Sequence, residues 1–100
     1  MKNIYKIYWS KHALAELKEV YTYLETAWTF QELKNLALKI EKTISFISDN
    51  PELYPRIAKD NQVRRVVITK HNILYYRVYK QNIEIISFFT TSKNPNKLKL

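Results

Sequence analysis

The stretch VRRVVITKHNILYYRVYKQNIEIISFF, from Val63 to Phe89, contains three apolar runs separated by two polar breaks. The runs are rich in the β-branched and aromatic residues that favour strands, and they span residues 63–69, 73–79 and 83–89. Each three-residue break is long enough only for a hairpin and ends in asparagine, which tolerates positive φ. The stretch therefore predicts a three-stranded antiparallel meander whose register is fixed without glycine.

The N-terminal half predicts one strand followed by two helices. Residues 4–9, IYKIYW, alternate as a strand does, and Ser10 is a candidate N-cap. Apolar residues then recur every three or four positions, as in an amphipathic helix, up to a break at residues 26–29. A capping box at residues 29–32 opens a second helix, which ends before Pro51 because proline cannot continue the hydrogen-bond ladder. The short link predicts an antiparallel helical hairpin.

The order of elements predicts an α+β fold with two layers, in which the helical hairpin covers one face of the sheet. We expect residues 1–89 to form a single domain and residues 90–100 to form a basic tail. Residues 51–61 contain two of the three prolines and are expected to form a loop, with a short edge strand at 54–58. The face of the sheet opposite the helices is left open, and function is expected there.

Charge is concentrated in the sheet half of the chain. The net charge is +8; residues 1–50 contribute seven Lys/Arg against six Asp/Glu, and residues 51–100 contribute ten against three. Such a field favours a polyanion such as nucleic acid, or an acidic protein partner, although a protein that is merely basic would show the same balance.

Several function classes are excluded by residue types that the chain lacks. Without cysteine there is no thiol nucleophile or Cys-ligated metal, and without glycine there is no phosphate-cradling loop of the nucleotide-binding kind. His12 and His71 lie on different elements and are expected to be a solvated residue and a turn residue, while helical carboxylates such as Glu16 are expected to be solvated. We expect no cofactor, no metal and no membrane contact, and a cytoplasmic protein.

Alternation along the middle run places Arg77 between Tyr75 and Tyr79 on the open face, with Leu74 and Tyr76 directed to the helices. Arg64 or Arg65 joins the open face, depending on register. The last run is apolar on both sides, with Ile83, Ile85 and Phe89 alternating against Ile86 and Phe88, which suggests that another chain covers it.

Basic residues with interleaved tyrosines form the candidate binding set: Arg56, Arg64, Arg65, Lys70, Arg77 and Lys93, with Tyr75 and Tyr79. Guanidinium groups bind phosphates bidentately and stabilise developing charge, and aromatic rings stack on bases. Cross-strand tyrosine pairs beside solvated arginines are an equally good interpretation for binding. Catalysis is less favoured because no general base is evident.

The whole pattern resembles the RelE/ParE superfamily of bacterial type II toxins. The resemblance rests on the order of elements, on SKHALAEL (10–17) entering the first helix, and on Asn50-Pro51 and Pro55 after the second helix. It also rests on RVV (65–67) followed by ILYYRV (73–78), and on the closing run 83–89 with Asn94-Pro95. It implies a toxin that is neutralised by a cognate antitoxin, whose extended or helical segment wraps the toxin.

Membership leaves two targets open. The RelE-like branch cuts mRNA on the ribosome with basic residues on the sheet and a late Tyr or His, whereas the ParE-like branch poisons DNA gyrase. Here Ile73 occupies the place where the ribonuclease branch tends to carry arginine, and no Tyr, His or Arg follows Phe89. The resemblance therefore favours the ParE-like branch.

Two alternatives are retained. One is a ribosome-dependent endoribonuclease that uses Arg64, Arg65, Lys70 and Arg77. The other, from a different class, is a nontoxic nucleic-acid-binding domain with a tyrosine-rich sheet.

Overall fold

The computed structural model describes residues 5–27, 30–57 and 62–90, without the side chains of residues 24–27. The elements are β1 (Lys6–Trp9), α1 (Lys11–Ala27), α2 (Phe30–Asp49), β2 (Val63–Thr69), β3 (Asn72–Tyr79) and β4 (Asn82–Thr90). The predicted α+β order is confirmed, and β2 has the bounds that its apolar run predicts. Some predicted features lie outside the described residues. They are the first residue of the expected strand 4–9, the capping threonine at position 29, the end of the expected edge strand 54–58, and residues 91–100 of the expected tail.

The four strands form one sheet in the order β1-β4-β3-β2. Strands β2, β3 and β4 form the predicted antiparallel meander, and β1 pairs in parallel with β4. The backbone N–H of Ser10 extends this parallel pairing by donating to the carbonyl of Ile85 at 2.9 Å. The first strand of the chain is thereby fixed to the last, which places β4 in the interior of the sheet.

Both helices pack on one face of the sheet. Their buried residues, including Ala13, Val20, Leu36, Ile40 and Ile47, form one core with residues from all four strands. Burying these apolar side chains supplies most of the free energy that holds the two layers together. Ser10 is the predicted N-cap of α1: its Oγ accepts from the backbone N–H of Ala13 at 3.0 Å.

A register shift in the β3–β4 ladder changes which apolar residues share a face. Tyr75 lies opposite Ser87 while Tyr76 lies opposite Ile85, so Ile86 is an extra residue in β4. The prediction that side chains of residues 83–89 alternate strictly between the two faces is therefore wrong beyond Ile85. Phe88 joins Ile83 and Ile85 in the core beneath the helices, whereas Phe89 and Ile86 lie on the opposite face.

Glu16 of α1 binds β4 beside this bulge. Its Oε1 accepts from the Ser87 hydroxyl and from the backbone N–H of Phe88, both at 2.8 Å. Its Oε2 lies 3.3 Å from Nε2 of His12. The expectation that Glu16 is solvated was wrong, because the bulge frees a backbone donor that a carboxylate on the facing helix satisfies.

The two hairpins use different turn chemistry from that expected. Among the described residues the one non-glycine residue with positive φ is Lys80, at 55°, and not an asparagine. Lys80 is the first residue of the two-residue loop between β3 and β4, where primed turns require positive φ. In the other hairpin, Thr69 Oγ1 accepts from the backbone N–H of His71 at 3.1 Å and from the side-chain amide of Asn72 at 2.8 Å. These hydrogen bonds stabilise that turn without positive φ.

The loop after α2 is fixed by two side chains of the sheet. Tyr76 donates its hydroxyl to the carbonyl of Pro51 at 2.9 Å, and Nη1 of Arg64 donates to the carbonyls of Glu52 and Tyr54 at 3.1 and 2.7 Å. Burial raises the pKa of Tyr76 to about 12, the nearby Arg64 charge lowering it and Tyr54 raising it.

The expected edge strand in this loop is reduced to an isolated antiparallel bridge between Arg56 and Arg64. None of the helices described is both long and apolar enough to cross a bilayer.

Candidate functional site

The face of the sheet turned away from the helices, here called the reverse face, has an apolar half. Val63, Tyr75 and Phe89 form a small buried cluster there, against which Ile57, Ile73 and Ile86 pack. Tyr75 was predicted to be exposed for binding, and this was wrong: only 6% of its surface is accessible. The chain thus buries Phe89 with its own residues, so the apolar character of Phe89 does not by itself require a covering chain.

The other half of the reverse face is polar and is built around Arg77. The side chain of Arg77 is exposed, as predicted, and its Nε donates to Oε1 of Glu84 at 3.0 Å. Glu84 of β4 pairs with Arg77 of β3 on one side and with Tyr8 of β1 on the other. The three side chains therefore lie in one row across the sheet. Beside this row Tyr79 is 66% exposed, and the ammonium of Lys80 lies 5.4 Å from the centroid of its ring.

These side chains line an open cavity of about 530 Å³ on the reverse face. We call it the Arg77 cavity, and it is bounded by Tyr8, Gln62, Arg77, Val78, Tyr79, Asn82 and Glu84. A cavity lined by a guanidinium and two exposed tyrosine rings is typical of a surface that binds a macromolecule, because these residue types dominate the energetics of interfaces.

Only part of the predicted set is brought together. Arg65 is exposed on the reverse face and is the diagonal neighbour of Arg77, since Arg77 lies opposite Val63. Arg64 lies on the helix side of the sheet, with its Nη1 bound to loop carbonyls. Lys70 is in the β2–β3 turn, roughly 17 Å along the strand from Arg77. Arg56 lies at the sheet edge opposite Arg64, and Lys93 lies outside the described residues.

Tyr8 and Glu84 were not predicted as site residues. Glu84 is the one acidic residue between Val63 and Thr90, a signal that was available in the sequence. The position of Tyr8 depends on the parallel pairing of β1 with β4, which joins the two ends of the chain and has no local signature.

In the part of the chain that the structure describes, no group of three or more His, Asp or Glu residues is arranged to hold a metal ion. Arg77 is paired with a carboxylate, and the phosphate-binding chemistry expected of it has to compete with that pair.

Comparison with known families gives one match over most of the chain. The model described as ParE toxin of the type II toxin-antitoxin system, parDE, matches residues 7–95. Comparison with curated protein sequences gives no match.

Solved structures share the fold. The chromosomal ParDE toxin-antitoxin system from P. aeruginosa is similar with a TM-score of 0.72 at 15% identity, covering 87% of this chain and 96% of that chain. The YoeB/ParE toxin from Agrobacterium tumefaciens is similar with a TM-score of 0.63 at 18% identity, covering 85% of this chain and 96% of that chain. The E. coli DinJ-YafQ toxin-antitoxin complex is similar with a TM-score of 0.62 at 11% identity, covering 91% of this chain and 97% of that chain. At these low identities the TM-scores show a shared fold alone. The family model, which matches most of the chain, shows the family: the chain belongs to the ParE toxin family of type II toxin-antitoxin systems.

Proposed function

We propose that this chain is a toxin of the ParE-like branch, which acts in the cytoplasm by binding DNA gyrase and carries out no chemistry of its own. The observation that carries the proposal is the match of the ParE family model to residues 7–95. The Arg77 cavity and the neighbouring Arg65 form the proposed contact surface, with Arg65, Arg77 and Tyr79 as the principal binding residues.

The placement of the candidate catalytic residues supports binding over RNA cleavage. Of the four residues proposed for a ribonuclease, Arg64 is on the helix side of the sheet and Lys70 is at the far end of β3 from Arg77. Ile73, at the place where the ribonuclease branch tends to carry arginine, packs into the apolar cluster with Tyr75 and Phe89. A catalytic group needs to lie within hydrogen-bonding reach of the reacting atoms, and Arg64 and Lys70 do not converge with Arg65 and Arg77 on one point.

We also propose that a cognate antitoxin neutralises this toxin. Two of the similar structures are described as a toxin-antitoxin system and a toxin-antitoxin complex. The helices of this chain expose several large apolar side chains, Leu14, Tyr23, Phe30, Leu38 and Phe46. Exposed apolar surface on two adjacent helices supports a protein partner, and the net charge of +8 favours an acidic one.

The experiment that tests the target compares two activities of the purified chain. We expect inhibition of gyrase supercoiling, or accumulation of gyrase-cleaved DNA, and no cleavage of mRNA in a ribosome-dependent primer-extension assay. Ribosome-dependent cleavage without any effect on gyrase would replace the gyrase proposal with the endoribonuclease. Normal growth of cells that express the chain without an antitoxin would instead favour the nontoxic nucleic-acid-binding domain.

A further inference from the structure

A second cavity lies behind the Arg77 cavity, at the same end of the sheet but on the helix side. Its volume is about 320 Å³, and Gln62 and Val78 border both cavities. The remaining lining residues come from four separate parts of the chain: Tyr5, Glu52, Arg56, Arg64 and Lys80. The family match and the proposed gyrase contact leave this cavity without a role.

The charge in this second cavity is strongly unbalanced. Among the described residues that line it, Arg56, Arg64 and Lys80 contribute three cationic groups against the one carboxylate of Glu52. Within the described residues none of the three cations makes an ion pair. Cations gathered around a concave site raise the local concentration of anions.

The guanidinium of Arg64 is held in position at the wall of this cavity. Its Nη1 donates to the carbonyls of Glu52 and Tyr54, and the residue itself is partly buried. These two hydrogen bonds use the hydrogens of Nη1 and leave the edge formed by Nε and Nη2. That edge presents two parallel N–H donors, the arrangement that binds two oxygens of a phosphate. Its immobilisation lowers the entropy cost of binding.

Further donors complete the site. Tyr5 contributes a phenol and Gln62 a side-chain amide to the lining. Lys80 also lines this cavity, at the hairpin where its φ is positive, and its ammonium lies 5.4 Å from the centroid of the Tyr79 ring. Together these groups surround a space large enough for a phosphate with donors and positive charge.

We propose that this second cavity is a phosphate-binding site, in which Arg64 binds the phosphate bidentately and Arg56 and Lys80 add charge. The phosphate belongs either to a free nucleotide or to a nucleic-acid backbone. The site is separate from the Arg77 cavity and does not depend on gyrase being the target.

The test is an NMR titration of the purified full chain at low ionic strength. The probes are inorganic phosphate, adenosine monophosphate, adenosine, and a short single-stranded oligonucleotide of mixed sequence. We expect phosphate and adenosine monophosphate to shift the signals of Arg56, Gln62, Arg64 and Lys80, and adenosine to leave them unchanged. Tighter binding of the nucleotide would identify a free nucleotide, and tighter, salt-dependent binding of the oligonucleotide would identify the backbone as the source.

Two variants and one matched control decide whether the cavity binds the phosphate. Arg56→Gln and Lys80→Gln remove exposed charges, and each should weaken binding about tenfold, the effect of one charge-assisted hydrogen bond. Lys39→Gln removes the same charge from the exposed surface of α2 and should leave binding unchanged. Equal weakening by Lys39→Gln, or shifts scattered over the surface, would overturn the proposal. Absence of a phosphate-dependent shift with every probe would do the same.

Discussion

The carboxylate of Glu16 accepts the backbone N–H of Phe88 at 2.8 Å, joining the first helix to the last strand at the bulge in β4. The same oxygen accepts the hydroxyl of the fully buried Ser87. The bulge determines which aromatic residues lie beneath the helices and which lie on the reverse face. Glu16 therefore stabilises the register on which the reverse face depends.

Replacing Glu16 with alanine should destabilise the fold. The change leaves the Ser87 hydroxyl and the Phe88 N–H without their acceptor, and we expect the free energy of unfolding to fall by about 3 kcal/mol. Glu16→Gln keeps an acceptor oxygen and should cost about 1 kcal/mol. The matched control is Glu41→Ala, at an exposed position on α2, where less than about 0.5 kcal/mol is expected. Urea denaturation measures all three, and equal losses for Glu16→Ala and Glu41→Ala would contradict the assigned role.

Ionisation of Tyr76 should lower the free energy of unfolding at high pH. Its folded pKa, about 12, lies above the ordinary value of 10.0, so its stabilising contribution is complete below pH 10 and is lost as the pH rises toward 12. The loss attributable to Tyr76 should reach about 2 to 3 kcal/mol. Tyr76→Phe removes the hydrogen bond to Pro51 and should cost about 1 kcal/mol at neutral pH.

The check is denaturant unfolding from about pH 8 to about pH 12, a range that brackets the ionisation of tyrosine. The variant should show a shallower fall in stability than the parent chain. Parallel curves for the two proteins would contradict the assignment of the fall to Tyr76.

Tyr75 and Tyr79 lie four residues apart on β3 and should respond to alanine in opposite ways. Tyr75 is buried in the apolar cluster, so Tyr75→Ala should cost about 3 to 4 kcal/mol of stability. Tyr79 is largely exposed, so Tyr79→Ala should leave stability within about 0.5 kcal/mol and should weaken growth arrest through lost target contacts. Thermal unfolding and a growth assay with induced expression measure the two effects. A stable Tyr75→Ala, or a Tyr79→Ala with full growth arrest, would contradict this division.

Arg77 and Glu84 form an ion pair whose members are exposed, with side-chain accessibilities of 53% and 39%. Water and salt screen such a pair, so Arg77→Ala and Glu84→Ala should each change stability by less than about 1 kcal/mol. Their effects on toxicity should differ. Arg77→Ala should weaken growth arrest, whereas Glu84→Ala leaves the guanidinium of Arg77 in place and should preserve growth arrest. Loss of growth arrest in both stable variants would show that the pair, and not Arg77 alone, is required.

The elements that local patterns control could be predicted from the sequence. The β-branched runs gave β2 its bounds, and Ser10 is the N-cap that its position before the amphipathic helix predicts. What could not be predicted depends on contacts between distant residues. The parallel pairing of Tyr8 with Glu84 and the hydrogen bonds of Glu16 to β4 join the two ends of the chain.

The candidate site was predicted less completely for the same reason. Arg77 and Tyr79 lie on the reverse face because alternation holds along β3. Tyr75 lies on that face too, but the bulge brings Phe89 against it and buries it, which no alternation rule anticipates.

The most direct test of the central claim is the affinity of purified gyrase for this chain and for the double variant Arg77→Ala, Tyr79→Ala. The account predicts saturable binding of the parent chain, binding at least about tenfold weaker for the double variant, and no change for the control Lys39→Gln. Equal affinity of the parent chain and the folded double variant, or no binding of gyrase at all, would contradict it.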